Sequence, residues 1–566
     1  MIAGMCLGPR KPICVNPIAR QRKKPPRRTP AAAPPDGMPR RAVHPVFTHC
    51  CETGPGRVTQ GHRPGTSARD PSMPASAADL DFYRALLTAS PGAPALRAQF
   101  AAALLAGDDP DAALEQADAA LAADPVLLPA LLTRADACKR LHRHAEAAAD
   151  LARADGLAPG RAAILLALGA AEAECDRLDA AEATLRRAAA AAPEDATIAA
   201  SLGSVLVRRG SFGPAEAECR RALALSPGLC APRQNLAGLL SAARPEEARA
   251  HRDGAYRGQQ IFIEPAARCA RTVLVPSAAD NGNIPLRHLF PRETTTLVRW
   301  YVEYATPDQD RALPPFDLVF NAIGDPDRAP ALPEAAARFF AAPPAPLLNP
   351  PAAVARTSRA DLPALLAGIQ GIVVPEVVRA TPAAPPVGLL PALVRPIGAH
   401  GGDGVRRVAD PGALGAALLA GEAYVTRFVD TADAAGWYRK YRVIFVDRVP
   451  YAYHLAIGRD WLVHYWTAGM AQDPARRAEE ARFLAAPDSV LGAPAWAALA
   501  AIGARLDLDF AGIDFARLPD GRLLVFEANA TMLVHPEDDP MFAYRNAAVA
   551  RILDAFAAMV ERRLTA

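Results

Sequence analysis

A proline recurs every 34 residues, at Pro91, Pro125, Pro159, Pro193 and Pro227, and this period constrains the fold more tightly than any other feature of the chain. Three further phases are locked to it. Ala113, Ala147, Ala181 and Ala215 stand twelve residues before the last four prolines, and Ala120, Ala154, Ala188 and Ala222 stand five before them. Small residues return at Ala101, Ala135, Gly169 and Gly203. A repeat of this length holds two antiparallel helices. The small residues let the helix backbones approach, and the proline, which lacks an N–H and clashes with the preceding turn, ends the second helix before the next unit begins. The period predicts four helix pairs over 94–229, a degenerate helix over Asp79–Ala89 before them and a helical stretch over Arg233–Arg252 after them.

The 566 residues leave room for about three domains, and an apolar fraction of 51% supplies ample core. Lys and Arg total 63 against 60 acids, so the whole-chain charge points to no polyanionic partner. The charge is unevenly placed. Residues 1–75 carry 13 Lys/Arg, 14 prolines and only three acids (Asp36, Glu52 and Asp70), a local +10 against +3 for the whole chain, which leaves −7 for the remainder. Without apolar periodicity such a segment cannot offset chain entropy, and it is predicted to be a disordered basic leader. It reads as an extension without a selected role in preference to a nucleic-acid tail, with Met73 as the candidate initiator. No apolar run approaches the roughly 18 residues of a membrane span. Nine cysteines, an odd count with no CxxC pair, suit reduced thiols. No secretory signal is present, so the expected address is the cytoplasm.

After Tyr256 the alanine-rich texture gives way to strand-like runs. Arg271–Pro276 and Asp317–Asn321 read as strands, Ala329–Ala341 and Arg359–Gly368 as helices, and Pro346–Asn349 and Val373–Pro375 as short extended pieces. The alternation argues an α/β unit, with Asn321–Asp325 in the loop position where such sheets contact ligands. Leu390–Pro396 is a strand ending in the cation Arg395, followed by a loop with Gly398, Gly401, Gly402 and Gly404. Glycines allow backbone N–H groups to approach phosphate oxygens, and Arg395 can place a guanidinium on the same group. Strands Tyr424–Asp430, Lys440–Asp447 and Pro450–Ile457 follow, then helices over 476–486 and 494–506.

The sharpest constellation closes the chain. Asp509–Phe515 and Leu523–Asn529 read as two strands joined at Pro519-Asp520-Gly521, which sets Asp514 opposite Glu527 and Asn529. Residues 527 and 529 are two apart and share a sheet face. Three oxygen ligands then converge, as a hard divalent ion such as Mg²⁺ requires. The histidines His454, His464 and His535 have no metal-ligand spacing and read as ordinary polar residues, and Trp461 and Trp466 as packing residues.

Two resemblances follow from these residues. The repeat, with its terminal proline and small-residue positions, resembles the tetratricopeptide repeat. The order of strand, cation and glycine loop, then the Lys440/Arg442 strand, then Asp514 and Glu527-x-Asn529, resembles the ATP-grasp fold in its glutathione-synthase or RimK-like branch. The resemblance implies ATP held between two α+β subdomains, with Arg359, Arg395, Gly401, Gly402, Gly404, Phe428 and Asp430 as nucleotide contacts. It implies Mg²⁺, with Mn²⁺ as a substitute, on Asp514, Glu527 and Asn529, and Arg395, Lys440 and Arg442 as the residues serving phosphoryl transfer. Arg359 and Arg395 stand where that family usually has lysine, and Arg427 where it often has a carboxylate.

The chain is thus expected to be multidomain: a basic leader (1–75), an all-α tetratricopeptide-type solenoid (76–255), an α/β pre-ATP-grasp domain (256–345) and an α+β ATP-grasp domain (346–566). The leading expectation is an ATP- and Mg²⁺-dependent carboxylate–amine ligase acting through an acylphosphate, its repeats recruiting a protein or peptide. The alternative is a repeat-based binding module whose ATP-grasp domain binds nucleotide without catalysis. Neither a membrane nor a nucleic acid is expected as partner.

Overall fold

A computed structural model describes residues 77–565 apart from 281, 400, 401, 403, 465 and 466. The basic leader with Met73, the predicted nucleotide contact Gly401 and the predicted packing residue Trp466 lie outside the described residues.

Helix α1 (Ala77–Ala89) precedes five antiparallel pairs: α2 (Pro94–Ala106) with α3 (Pro110–Ala123), α4 (Leu128–Arg140) with α5 (His144–Leu157), α6 (Ala162–Glu174) with α7 (Leu178–Ala191), α8 (Ala196–Arg208) with α9 (Phe212–Leu225), and α10 (Cys230–Leu240) with α11 (Pro245–Tyr256). The first four pairs follow the 34-residue period. The fifth corrects the expectation of one helical stretch over 233–252, because Ser241–Arg244 forms a turn and Pro245 starts a new helix. Each periodic proline sits two residues beyond the end of a helix. The alanines at the two proline-locked phases are wholly buried, and the space they leave is used. A Cβ on Gly169 would stand 2.6 Å from Leu185 Cγ, and one on Gly203 would stand 2.8 Å from Cys219 Sγ. Arginines then tie repeat to repeat in register. Arg153 donates to the Pro125 carbonyl and Arg221 to the Pro193 carbonyl, in each case 28 residues back.

The array joins the α/β region through side chains rather than through a tether. Tyr256, at the end of α11, is buried against Tyr301, with ring centroids 4.1 Å apart, and against Phe262. Arg268 pairs with Asp111 at the start of α3 through bonds of 2.9 and 2.6 Å, and Tyr304 donates to Asp253 at 2.7 Å.

Three sheets follow. The first comprises β1 (Ile261–Glu264), β2 (Arg271–Ser277), β3 (Thr295–Tyr301), β4 (Leu318–Phe320) and, after helix α12 (Glu334–Ala341), β5 (Leu347–Leu348), in the order β1-β3-β2-β4-β5. It is parallel except at β1. Helix α12 is shorter than the predicted 329–341, since Pro330 and Pro333 hold the chain extended until Glu334. The short helices α13 (Pro351–Ala355) and α14 (Leu362–Leu365) replace the predicted helix over 359–368, which leaves Arg359 in the turn between them.

Next come β6 (Ile372–Val373), β7 (Val377–Ala380), β8 (Ala392–Pro396), β9 (Arg406–Val408), α15 (Pro411–Leu418) and β10 (Ala423–Arg427). Strands β7-β10-β8-β9 form a four-stranded antiparallel sheet, the second of the three. The chain ends with β11 (Tyr438–Val446), β12 (Val449–Gly458), α16 (Pro474–Ala485), α17 (Pro487–Leu491), α18 (Ala493–Leu506), β13 (Phe510–Arg517), β14 (Leu523–Asn529) and α19 (Asn546–Thr565). The third sheet has the order β12-β11-β13-β14-β6, and its core is continuous with that of the first sheet through residues such as Phe290, Phe320 and Phe556. Asn349 stitches the two together. Its buried Oδ1 accepts from the Asp509 and Phe510 N–H groups at 2.9 Å each, and its own carbonyl accepts from Asn321 at 2.9 Å. Among the described residues no helix is long and apolar enough to cross a membrane.

Helix propensity alone favours alanine over glycine by about 1 kcal/mol. Gly169→Ala should nonetheless destabilise by about 1–3 kcal/mol, because overpacking against Leu185 outweighs the gain. Gly156→Ala, where nothing lies within 4 Å, should leave stability unchanged or raise it. The thermal unfolding midpoint should fall for Gly169→Ala and hold or rise for Gly156→Ala, and a stabilised Gly169→Ala would contradict the packing argument.

Candidate functional site

The site grows from one transverse row of the third sheet. Lys440 and Arg442 are two apart on β11 and share a face. Arg442 lies opposite Asp514 on β13, and Asp514 lies opposite Glu527 on β14. Asn529, two residues further, is on the same face as Glu527, opposite Gly512. Between Asp514 and Phe515 the register shifts by one residue, so that Phe515 pairs with Val525 and Phe526 is left unpaired. Without this bulge Glu527 would project from the opposite face.

The carboxylates on the row are not bare. Arg442 grips Asp514 with Nε to Oδ1 at 2.6 Å and Nη2 to Oδ2 at 2.9 Å, and Lys440 Nζ stands 3.0 Å from Oδ2. Arg359, from the turn before α14, donates to Glu527 Oε2. Asp514 is 2% exposed. Burial alone would raise its carboxyl, but Arg442 and Lys440 hold it far below the usual carboxylate range. Glu527 is held at about 2, again against burial, chiefly by the Arg359 charge.

Three chain segments distant in sequence close on this row. The loop after β4 brings Asp325, Pro326 and Asp327, the turn after α13 brings Thr357 and Arg359, and the glycine loop after β8 brings Gly398 and Ala399. With Ala528, Asn529 and Thr531 these line one cleft. Cross-links fix the approach. Arg328 donates to the Gly398 carbonyl at 3.0 and 2.7 Å, and Tyr424 on β10 donates to Asp327 at 2.7 Å. Gly324 carries no Cβ because Ile284 Cγ1 stands 2.8 Å from where it would be.

Arg395, at the end of β8, has the Ala399 carbonyl at 3.5 Å as its partner and no carboxylate within ion-pair distance among the described residues. Burial, and then the nearby Arg359 charge, push its guanidinium below its ordinary pKa. A guanidinium so placed is suited to receive an anion.

The sequence-predicted residues divide accordingly. Asp514, Glu527, Asn529, Arg359, Lys440 and Arg442 come together with Arg395 beside them, and the loop after β4 joins them. Gly402 and Gly404 take positive φ of 86° and 69° in the glycine loop, with Leu462 and Pro396 as their neighbours. Phe428 and Asp430 do not line the cleft around Arg359. Phe428 lies under the Arg407 guanidinium at 3.9 Å and against Trp461, while Asp430 accepts from the Ala432 N–H at 3.0 Å. Arg427 turns outward to Glu376 and the Gly388 carbonyl. His454 pairs across the sheet with Arg442, and its Nδ1 meets buried Glu480 at 2.5 Å.

Sequence reasoning missed Asp327, Arg328, Tyr424 and Thr531. The first two closely follow the Asn321–Asp325 loop already singled out, so their position was the available signal. Thr531 donates to Asn529 Oδ1 through its N–H at 3.0 Å and its hydroxyl at 3.1 Å, orienting that amide.

The donor set of two carboxylates and one amide oxygen fits a hard divalent cation by type, while the cations around it fit an anion. Among the described residues there is no group of three or more His, Cys, Asp or Glu able to hold a metal, so any such ion would rely on Asn529 as well.

No family model matches this chain, and no curated protein matches it. Similar solved structures cover about a third of it. YrrB, a tetratricopeptide protein with an unusual peptide-binding site, is 18% identical over 32% of this chain and 93% of its own, with a TM-score of 0.29. MamA is 22% identical over 28% of this chain and 94% of its own, with a TM-score of 0.27. A thermophilic tetratricopeptide protein from Thermus thermophilus is 25% identical over 30% of this chain and 92% of its own, with a TM-score of 0.26. The helical part of this chain is a tetratricopeptide-like array on its own period and packing, followed by a mixed α/β region with three sheets.

A carboxylate depressed from 4.5 to about 2 stabilises the fold above about pH 4.5 and loses that contribution as pH falls toward 2. Glu527→Gln should cost on the order of 2 kcal/mol at neutral pH and flatten the acid limb of a urea-midpoint-against-pH curve. An acid limb identical to the wild type would show that Arg359 does not hold Glu527 ionised.

Proposed function

We propose that the α/β region is an ATP-grasp ligase that joins a carboxylate to an amine at the expense of ATP, and that the repeat array recruits a protein or peptide substrate. The observation that supports it best is the coincidence of two opposite demands in one cleft: a carboxylate pair with an amide oxygen, and next to it Arg395 without a carboxylate partner among the described residues. A metal–triphosphate complex carries both complementary charges. The extended concave face that stacked repeats create supports a docking role for the array.

On this reading Asp514, Glu527 and Asn529 would hold Mg²⁺ or Mn²⁺. When bound, the ion supplies charge neutralisation at the phosphates and a template for in-line transfer. Arg395 and the N–H groups of the glycine loop bind and orient the phosphates. Lys440 and Arg442 hold Asp514 ionised and in place, and add positive charge beside the transferring group. The substrate carboxylate attacks the γ-phosphorus, releasing ADP and forming an acylphosphate. The amine then attacks the acyl carbon, releasing inorganic phosphate and a proton as the amide forms. No side-chain nucleophile enters, so the residues contribute positioning and electrostatics.

A second reading keeps the array as the working part and the α/β region as a nucleotide-binding module without turnover. The arginines at 359 and 395, in place of the lysines usual in that family, favour it, because a planar fork differs in reach from an ammonium.

Calorimetric titration of the full chain with a non-hydrolysable ATP analogue decides whether the cleft is a nucleotide site. Binding should strengthen with Mg²⁺, and Asp514→Asn should remove that dependence. Arg395→Ala should weaken binding about 10- to 100-fold with or without the metal, the worth of a charged hydrogen-bond set. Failure of the folded protein to bind the analogue under either condition would end the ligase reading.

A further inference from the structure

The two carboxylates of the row are neutralised in different ways, and the difference carries a consequence. Asp514 is held by Arg442 and Lys440, both on the adjacent strand β11, so its counter-charges are fixed by the sheet itself. Glu527 is held by Arg359, whose backbone lies in the turn between α13 and α14, outside every strand. Among the described residues Glu527 is the one ion-pair partner of Arg359. Arg359 also lines the cleft with the glycine-loop residues Gly398 and Ala399, and Arg395 stands 3.5 Å from the Ala399 carbonyl, near the Arg359 charge. Arg359 therefore faces a carboxylate and the cleft beside Arg395 at once.

Three cations, Arg359, Lys440 and Arg442, engage two carboxylates on this row. A divalent cation arriving alone would meet three cations already engaging these two carboxylates, with Asp325 and Asp327 as the other acids of the cleft, and would compete with a guanidinium for Glu527. A triphosphate arriving first reverses both conditions. It brings negative charge, and it offers Arg359 bidentate phosphate oxygens in exchange for the carboxylate.

We infer that Arg359 is a gate on the metal site: it occupies Glu527 until nucleotide phosphate draws it away, so that the divalent cation binds with its nucleotide and not before it. This inference rests on the ATP-grasp reading and specifies its order of binding. Linkage makes the effect reciprocal, with metal and nucleotide each tightening the other by the same factor.

Mn²⁺ binding to the full chain, followed by electron paramagnetic resonance, tests the gate without reference to turnover. Wild-type protein should bind Mn²⁺ weakly alone and about tenfold or more tightly with β,γ-methylene ATP. Arg359→Gln should bind Mn²⁺ alone about tenfold more tightly than wild type, and the gain on adding the analogue should shrink. Arg359→Lys keeps the charge in the same turn and should restore weak binding of the metal alone, which separates a charge effect from a folding effect. Thermal melts confirm that each variant is folded. Analogue-dependent Mn²⁺ binding that Arg359→Gln leaves unchanged would overturn the gate and spare the ligase reading. Equal Mn²⁺ affinity with and without the analogue in wild type would also overturn the gate. Absence of both Mn²⁺ and analogue binding would overturn the gate together with the ligase reading.

Discussion

Arg442, itself half-buried, grips the buried carboxylate of Asp514, and the rest of the cleft answers to the cost of taking that charge out of water. Taking two charges out of water is expensive, and their attraction compensates only if the geometry is good and the remaining lone pairs are used. Here the register of β11 against β13 sets Arg442 directly opposite Asp514, so that its guanidinium reaches both carboxylate oxygens. Lys440 takes up further acceptor capacity. Two bulges flank the row, one beside Asp514 against β14 and one beside Arg442 against β12. Each turns by one residue which side chain faces the cleft, and together they align His454, Arg442, Asp514 and Glu527 across four strands. A structure needing only stability would fill such positions more cheaply with apolar side chains.

The helical array solves a different problem with different means. Its core is alanine and leucine, and alanine buries little area per residue. Stability then depends on how closely the helices approach, which is why Gly169 and Gly203 accept no side chain and why the proline-locked alanines are fully buried. The arginines that reach back to the Pro125 and Pro193 carbonyls satisfy acceptors just past helix ends, at the place where the ladder of backbone bonds stops.

Period and strand pairing are the properties that could be read from residues alone. The helix pairs are legible because prolines and small residues mark them at fixed intervals, and the pairing of the strands that carry Asp514 and Glu527 follows from the Pro-Asp-Gly turn between them, while their common facing needs the bulge as well. What stayed hidden has a common cause. Strands β1, β3 and β7 carry no marker of their own and are fixed by partners distant in sequence. The bulge at Phe526 is invisible because Leu523–Asn529 reads as plain alternation. The helices expected over 329–341 and 359–368 are shorter in the structure because Pro330, Pro333 and Gly368, the last at a φ of 82°, interrupt them. Phe428 and Asp430 rest on the resemblance alone, and Phe428 lies under Arg407 and against Trp461.

The junction between array and α/β region bears on how the two could act together. A flexible linker would present a docked partner at an effective concentration set by its length, and that concentration falls as the linker grows. This chain has no such linker. Only Arg257–Gln260 separate α11 from β1, and Tyr256 is buried among Phe262, Tyr301 and Tyr304. Arg268 reaches back to Asp111 in the first repeat pair, and His142 Nε2 stands 3.1 Å from the Pro265 carbonyl in the second. The contacts therefore run along several repeats and are not confined to the last one. On the proposed ligase reading, a partner held by the array would be presented in one fixed orientation, so selectivity would come from whether its reactive group reaches the cleft, in addition to whether it binds.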